Sequence, residues 1–493
     1  MKKNSLLISL VAMLVLSGCN DYLSELPDNR TVLDTPEKIS EILVKAYPSS
    51  SYVNFSETMS DNVFDTENVP ATSESNTRAY KWEEVTEIGS DTPSDFWDAS
   101  YSAIAHANQA LVAIDESPNK ASLSPQRGEA LVARAYNHFM LLQFFSLAYN
   151  PATAESTPGI PYVKEAETSL IKNYTRQSVK EVMDNIQLDL EEGLKLVGND
   201  YKQSKYHFTK NASRAFATRF YLIKGDWAKV VENTDYLGTK PTGIRDYKAF
   251  DVLGIYEKLA NYSSSSVETN LLLNTQYSTY MRKVIGDRFA FPGKRTVSTF
   301  GFSTNPTGKS WYYSTISYNG GINDVMPKFD EYFKYTNQSA GIGYPFVNFT
   351  LLSNDEIYIN RLEALVMLNR MNEALEGYNY FLSTRTKNFN AATDNQTFQK
   401  LKNFYQNKTT ADEFTPFYSL TDDQKLMLKA ILEIKRLDFY HEGLRWLDVK
   451  RHNIIVTHEI LGETTQILKK DDPRRAMQLP AHVVAAGLKQ NPR

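Results

Sequence analysis

Apolar residues recur three or four positions apart through long parts of the chain, and polar residues fill the positions between them. This is the period of an α-helix that buries one face. Ser178 and Glu181 add the spacing of a capping box at one helix start. The pattern predicts helical segments over six ranges: 92–114, 127–149, 178–194, 210–222, 228–237 and 354–382, the last with a turn at 369–372.

The segments come in pairs joined by short turns, which is typical of degenerate tetratricopeptide repeats. We therefore predict a mostly α fold in which helical hairpins form a scaffold over residues 36–240, with a further hairpin over 354–382. Between them the helical period is lost, and Gly, Pro and Ser are frequent. We predict a long, loop-rich excursion over 241–350, within a C-terminal region of 241–493.

The stretch 431–454 also has a helical period, but it carries an unusual density of charge. Four charged residues lie between its apolar positions: Arg436, Glu442, Arg445 and Asp448. Residues three apart on a helix can pair with each other, or with neighbouring loops. Because a buried ionic network is costly to break, we predict a structural clamp rather than an active site. Gly443 within the stretch indicates a kink or a close packing contact.

The N-terminus has the features of a secretory leader. Lys2 and Lys3 precede an apolar run over 6–16, which is too short to span a membrane, and Leu16-Ser17-Gly18-Cys19 follows. This ending is similar to the lipobox of bacterial lipoproteins, whose cysteine is acylated, for instance with palmitate. We predict a signal peptide over 1–18, lipidation of Cys19 and a tether over 19–35. Cys19 is the only cysteine, so lipidation would leave no thiol for disulfides or catalysis.

Charge and motifs argue against several classes of protein. The net charge of −4 does not suit nucleic-acid binding. The chain has no complete HExxH, GxSxG or Walker A motif, and seven histidines without a free thiol make a metal site improbable. We expect no cofactor, no metal and no enzyme activity. Paired carboxylates for glycoside hydrolysis remain open, because their separation is a spatial property.

Two aromatic stretches combine rings with polar side chains, as a sugar-binding surface requires. Rings can cover the apolar C–H faces of a sugar, while amide and guanidinium groups bind its hydroxyls. The predicted ligand-binding residues are Asn76, Arg78, Tyr80 and Trp82 in one stretch and Trp311, Tyr312 and Tyr313 in the other. The alternative is that these aromatics only anchor long loops onto the helices.

Six segments, in this order and spacing, resemble the SusD/RagB family of Bacteroidetes outer-membrane lipoproteins. The segments are the lipobox with Asn20-Asp21-Tyr22-Leu23, Phe96 through Asn108, Glu129 through Ala135, Gly159 through Val163, Thr209 through Trp227, and Arg436 through Arg451. Together they run over nearly the whole chain.

The resemblance implies a tetratricopeptide-type scaffold with an irregular second half, lipid-anchored in the outer membrane and facing the cell exterior. It also implies that the protein captures ligand over a partner TonB-dependent transporter of the SusC type. Ligands in the family are mostly oligosaccharides, and peptides for some members, so both remain open here. A third possibility is a tetratricopeptide scaffold lipoprotein that binds other proteins and has no small ligand.

Overall fold

The computed structural model describes residues 35–166, 174–406 and 413–493. The predicted signal peptide, Cys19 and the tether up to residue 34 lie outside these ranges. Within the described residues, no helix is long and apolar enough to cross a membrane.

The described chain is mostly helical, as predicted. The helices are α1 Pro36–Leu43, α2 Val53–Met59, α3 Glu74–Tyr80, α4 Pro93–Glu116, α5 Ser124–Phe145, α6 Val179–Leu196, α7 Lys210–Lys224, α8 Trp227–Thr234, α9 Tyr247–Asp251, α10 Ile255–Tyr262, α11 Tyr280–Gly286, α12 Thr296–Phe300, α13 Tyr313–Ile316, α14 Asn354–Met367, α15 Met371–Arg385, α16 Ala391–Asp394, α17 Phe398–Tyr405, α18 Asp422–Asp438, α19 Arg445–Arg451 and α20 Ala481–Ala485.

The strands are few and mostly short. They are β1 Phe64–Asp65, β2 Asn270–Tyr277, β3 Phe289–Ala290, β4 Tyr318–Asn319, β5 Asp324–Val325, β6 Glu331–Asn337, β7 Ile342–Ser353, β8 Val456–His458 and β9 Gln466–Leu468. The three long strands form an antiparallel sheet in the order β2-β7-β6, which leaves β6 at one edge. The other described strands pair two by two.

Side-chain caps fix where the scaffold helices begin. Thr92 accepts a hydrogen bond from a backbone N–H in the first turn of α4, and Ser353 does the same for α14. Ser178 and Glu181 form the predicted capping box at α6. Gly225, with φ of +84°, ends α7 in the left-handed conformation that glycine adopts without steric cost.

Paired helices form the scaffold, which confirms the predicted fold class. Helix α4 packs on α5 and α5 on α6; α7 packs on α8, and α14 on both α15 and α18. One large apolar core runs through these contacts, from α1 to the C-terminal strands. The residues of 241–350 form short helices and the three-stranded sheet that leads into α14, so the excursion is irregular but ordered into small elements.

The helical period over 431–454 corresponds to two helices, α18 and α19, joined by a turn. His441 and Gly443 in this turn have φ of +68° and +72°, which no continuous helix allows. A Cβ at Gly443 would lie 2.9 Å from the ring of Tyr52, so the glycine permits a close contact with α2. The kink and the close contact predicted at Gly443 are therefore both present.

Candidate functional site

The first predicted aromatic stretch folds inward. Tyr80 and Trp82 lie on opposite sides of the His458 ring, with ring centroids 3.9 Å and 4.3 Å from it. Trp82 donates a hydrogen bond to the Met59 carbonyl oxygen at 2.9 Å, and only 3% of the residue is exposed. Buried Asn76 accepts a hydrogen bond from Asn54. None of these three side chains offers a free face to a ligand in this conformation.

Arg78 is the one member of this stretch with a substantially exposed side chain. Its guanidinium pairs with Glu74 one turn earlier on α3, at 2.6 Å. A surface pair of this kind contributes little to stability, so it can be exchanged for a ligand contact at low cost.

The second predicted stretch is also buried. Trp311 donates to the Thr304 hydroxyl at 2.9 Å, and Tyr313 donates to the Asp438 carboxylate at 2.8 Å. Tyr312 is 8% exposed, and Lys387 lies over its ring. These contacts attach the excursion to the scaffold, as the anchoring alternative describes. That either stretch binds ligand stays a prediction, which binding measurements can test.

The predicted clamp residues connect distant parts of the chain, and Arg436 and Arg445 take the second of the two expected kinds of partner, a neighbouring loop. Arg445 forms a two-pronged ion pair with Asp61, at 2.7 and 2.9 Å, and Arg436 binds Asp61 and Asn62. Burial alone would raise the pKa of Asp61, but the two guanidinium groups outweigh it and hold that pKa well below its usual range. The C-terminal helices thus hold the loop that follows α2.

Glu442 and Asp448 bind further partners inside the fold. Glu442 accepts hydrogen bonds from Lys328 and Tyr262, and Asp448 pairs with Lys435 and Arg451. Gly443 adds backbone contacts to α2, because its N–H donates to Glu57 at 2.7 Å. This geometry is what a clamp requires, and its contribution to stability stays a prediction.

A different set of aromatic residues is exposed or half-buried. Tyr277 on β2, Phe346 on β7 and Tyr332 on β6 lie opposite each other across the sheet, and Tyr344 follows in the next row. We call this side of the sheet the aromatic face. Ring centroids are 5.9 Å apart for Tyr332 and Phe346, 6.2 Å for Tyr277 and Phe346, and 5.5 Å for Tyr277 and Tyr344.

The aromatic face is exposed because β6 and the start of β7 extend beyond the core. Tyr332 and Tyr344 are each 48% exposed. The opposite side of the hairpin is also aromatic, since Phe333 and Tyr335 pack at 5.0 Å and Phe333 covers Gly343. A Cβ at Gly343 would lie 2.7 Å from the Phe333 ring, so only glycine fits there.

A cavity of about 410 Å³ adjoins the aromatic face. Its walls come from the residues after α1, from one side of α4, from Tyr206 and from β2. Thr275 lines the cavity two residues before Tyr277 on the same strand, and donates a hydrogen bond to Asn348. Asn348 in turn donates to Tyr206 at 3.2 Å. We call it the Tyr206 cavity; it shares strand β2 with the aromatic face.

A larger cleft of about 500 Å³ lies between β1, residues 294–295 and the loop after β8. Its one partly exposed ring, Phe64, is covered by the Arg295 guanidinium at 4.7 Å. Lys294 and Glu67 on its wall pair at 2.8 Å. This cleft therefore has ionic walls and no free ring, whereas the aromatic face has four rings in contact with each other.

Sequence reasoning missed the aromatic face, although a signal for it was present. Tyr332, Phe333, Tyr335, Tyr344 and Phe346 fall within fifteen consecutive residues, around a glycine turn. A two-stranded hairpin has two faces, and only one can pack on a core. Aromatic residues on both faces therefore require that some of them be exposed.

Comparisons with known proteins agree in fold and family. Residues 21–222 match a family described as SusD-like, starch-binding associating with outer membrane. Among proteins of curated function, none matches the chain.

Solved structures resemble the chain over nearly its whole length. A SusD superfamily protein from Bacteroides fragilis is 17% identical, with a TM-score of 0.65 over 92% of this chain and 99% of that one. One from Bacteroides thetaiotaomicron is 15% identical, with a TM-score of 0.65 over 94% and 100%. A SusD-like carbohydrate binding protein from Bacteroides vulgatus is 16% identical, with a TM-score of 0.65 over 92% and 96%.

These matches agree with the sequence resemblance. The sequence match covers the scaffold almost to the end of α7, and the structural matches extend the likeness in fold through the irregular second half. The chain is thus similar to the SusD-like family in sequence over residues 21–222, and its fold is that of solved SusD superfamily proteins.

Proposed function

We propose that the protein captures oligosaccharides at the cell surface and delivers them to a TonB-dependent transporter of the SusC type, without cleaving them. The observation that carries this proposal is the exposed aromatic face beside the Tyr206 cavity. Exposed rings in mutual contact form a surface on which the C–H faces of successive sugar units can stack. The cavity then supplies the polar contacts that fix one sugar unit in place.

The groups at this surface suit binding better than hydrolysis. Most enzymes that hydrolyse a glycosidic bond use a pair of carboxyl groups that flank it. In the part of the chain that the structure describes, the lining of the Tyr206 cavity contains no Asp or Glu. Its polar members are hydroxyls, an amide, an imidazole and an ammonium group.

Relatives support the choice of a sugar ligand. The matching family is described as starch-binding and associated with the outer membrane, and one solved relative is called a carbohydrate binding protein. The predicted lipidation of Cys19 would anchor the protein at that membrane. Delivery to a transporter extends the proposal one step further, and it needs its own test.

A double variant of the aromatic face tests the sugar-binding proposal. Calorimetric titration with a panel of oligosaccharides identifies a ligand, and Tyr332→Ala with Tyr344→Ala should then weaken its binding about ten- to a hundredfold, since two stacking rings are lost. Tyr256→Ala removes a ring that is 85% exposed elsewhere and is the matched control. Unchanged affinity in the double variant would contradict the proposal.

Peptides remain the alternative ligand, and one observation favours them. Strand β6 is an edge strand, and an extended peptide can add to such an edge through backbone hydrogen bonds. Peptides in the same titration panel distinguish the two. Binding of peptides and of no sugar would replace oligosaccharide by peptide in the proposal.

Delivery and anchoring are tested in the membrane. Full-length protein solubilised from outer membranes should co-purify with a large β-barrel transporter, whereas Cys19→Ala should be released from the membrane fraction. If the wild-type protein is recovered without such a transporter, under conditions that preserve its sugar binding, the proposed delivery is contradicted and the proposed capture is kept.

A further inference from the structure

We infer that the captured oligosaccharide is acidic, with a carboxylate-bearing sugar held in the Tyr206 cavity by Lys45 and His106. This inference rests on the proposed function, and it assigns the chemical class of the ligand. It follows from the charges that line the cavity and from the absence of compensating carboxylates on its walls.

Lys45 brings an uncompensated positive charge to the cavity mouth. It follows α1, lies at the surface and lines the cavity. Among the described residues, its ammonium group has no ion pair and no hydrogen-bond partner. An ammonium group with free donors binds a carboxylate more strongly than it binds a neutral hydroxyl.

His106 faces the same cavity from α4. Its Nδ1 lies 2.7 Å from the Ser102 carbonyl oxygen, and a carbonyl oxygen only accepts, so Nδ1 carries a proton. Nε2 is left for a ligand. An imidazolium ring donates a hydrogen bond from Nε2 to a carboxylate, whereas the neutral ring only accepts one there.

The carboxylates on the neighbouring turns of α4 are already engaged. Asp95 accepts a hydrogen bond from Ser50, and Asp98 pairs with His482 at 2.9 Å. The aromatic face adds Lys334, whose ammonium lies 6.0 Å from the centre of the Phe346 ring. Arg282, at the edge of the sheet, is neutralised by Glu331 at 2.6 Å.

The local charge is opposite to that of the whole chain. The protein carries a net charge of −4, yet the cavity and the aromatic face together present two lysines, a histidine and no carboxylate among their described residues. A neutral sugar would gain only hydrogen bonds from these groups, whereas a uronic acid would also be attracted and oriented by the excess of positive charge.

The test compares acidic oligosaccharides with their carboxyl-reduced forms, in which a neutral primary alcohol replaces each carboxylate. Oligogalacturonate, oligoalginate and hyaluronan fragments, each beside its reduced counterpart, are titrated into the full mature chain. We expect at least one acidic probe to bind about tenfold or more tightly than its reduced form, and to bind more weakly as salt is raised. Equal affinity for both members of every binding pair would overturn the inference.

Two variants assign the effect to the cavity. Lys45→Met and His106→Gln should each weaken binding of the acidic probe about tenfold and leave binding of a reduced probe unchanged. Lys120→Met removes an exposed lysine beyond the far end of α4 and is the matched control. Unfolding midpoints equal to that of the wild type show that the variants are folded. Unchanged acidic binding in both cavity variants would overturn the assignment.

The outcomes separate this inference from the function on which it rests. Binding of neutral sugars alone, lost in the double tyrosine variant, would keep the proposed function and reject the acidic ligand. No binding of any sugar, neutral or acidic, would reject both. Binding of acidic peptides in preference to every sugar would also overturn the inference, because the same cations would then serve a different class of ligand.

Discussion

Two short stretches of similar composition have opposite surroundings in this protein. Residues 76–82 and residues 331–335 each combine tyrosine with lysine and a second aromatic residue. In the first, Tyr80 and Trp82 are buried on either side of a histidine ring from β8. In the second, Tyr332 lies half exposed at the edge of a sheet.

The difference arises from what the rest of the chain brings to each stretch. His458, nearly 380 residues later, fills the space between the Tyr80 and Trp82 rings and accounts for their burial. No described element covers the aromatic face in the same way. Aromatic content alone therefore predicts neither an anchor nor a binding surface, because the distinction depends on partners distant in sequence.

Trp82→Ala should have the largest effect on stability, and it tests whether residues 76–82 are a structural anchor. The change removes a ring stacked on His458 and the hydrogen bond to Met59. We expect a loss of about 3–5 kcal/mol in the free energy of unfolding, measured by denaturant titration. Sugar affinity per folded molecule should stay unchanged. Lost affinity in a variant of normal stability would instead support the sequence prediction that Trp82 contacts ligand.

Arg445→Ala should have the next largest effect, because it leaves Asp61 without its two-pronged partner. Removing one member of a buried pair costs about 3–5 kcal/mol, and we expect about 3 here since the Asp61 side chain is 24% exposed and still contacts Arg436. The exposed pair of Arg370 with Glu373 supplies the control, since Arg370→Ala should cost about 0.5 kcal/mol or less.

The clamp also predicts a dependence on pH. The pKa of Asp61 is lower in the folded protein than its ordinary value of 3.8. The ion pair of Asp61 therefore stabilises the fold fully above about pH 4, and this stabilisation is lost as the pH falls towards the folded-state pKa. The stability difference between wild type and Arg445→Ala should therefore shrink below about pH 4. A difference that stays constant there would show that Arg445 acts through packing alone.

Tyr332→Ala with Tyr344→Ala should have the smallest effect on stability. This double variant tests whether the aromatic face differs from the buried stretch 76–82 in contributing little to folding. Both rings are half exposed, so the free energy of unfolding should change by about 1 kcal/mol or less. Together with the expected loss of affinity, this would separate a binding surface from a structural anchor. A loss of several kcal/mol would mean that the aromatic face stabilises the sheet instead.

Much of the scaffold follows from local sequence. The hairpin over 354–382 is present, with its turn at 368–370 where the sequence predicts 369–372, because apolar spacing and turn residues there are local signals. The break in the stretch 431–454 is harder to predict, because its apolar spacing continues through the turn at His441 and Gly443. Gly443 in this turn packs closely against Tyr52 and Val53 at the start of α2, far away in sequence. Three rings of the aromatic face lie in the hairpin 332–346, but the fourth, Tyr277 on β2, comes from a separate part of the sequence and is placed beside them only by the sheet.

The clamp also determines the order in which the polypeptide can complete its folding. Asp61 and Arg445 are separated by 384 residues, and Gly443 contacts Glu57 across a similar interval. The segment after α2 therefore cannot reach its final partners until nearly the whole chain has been synthesised. Contacts of such long range form late and slowly, so this early segment is the part of a nascent chain most in need of protection by chaperones.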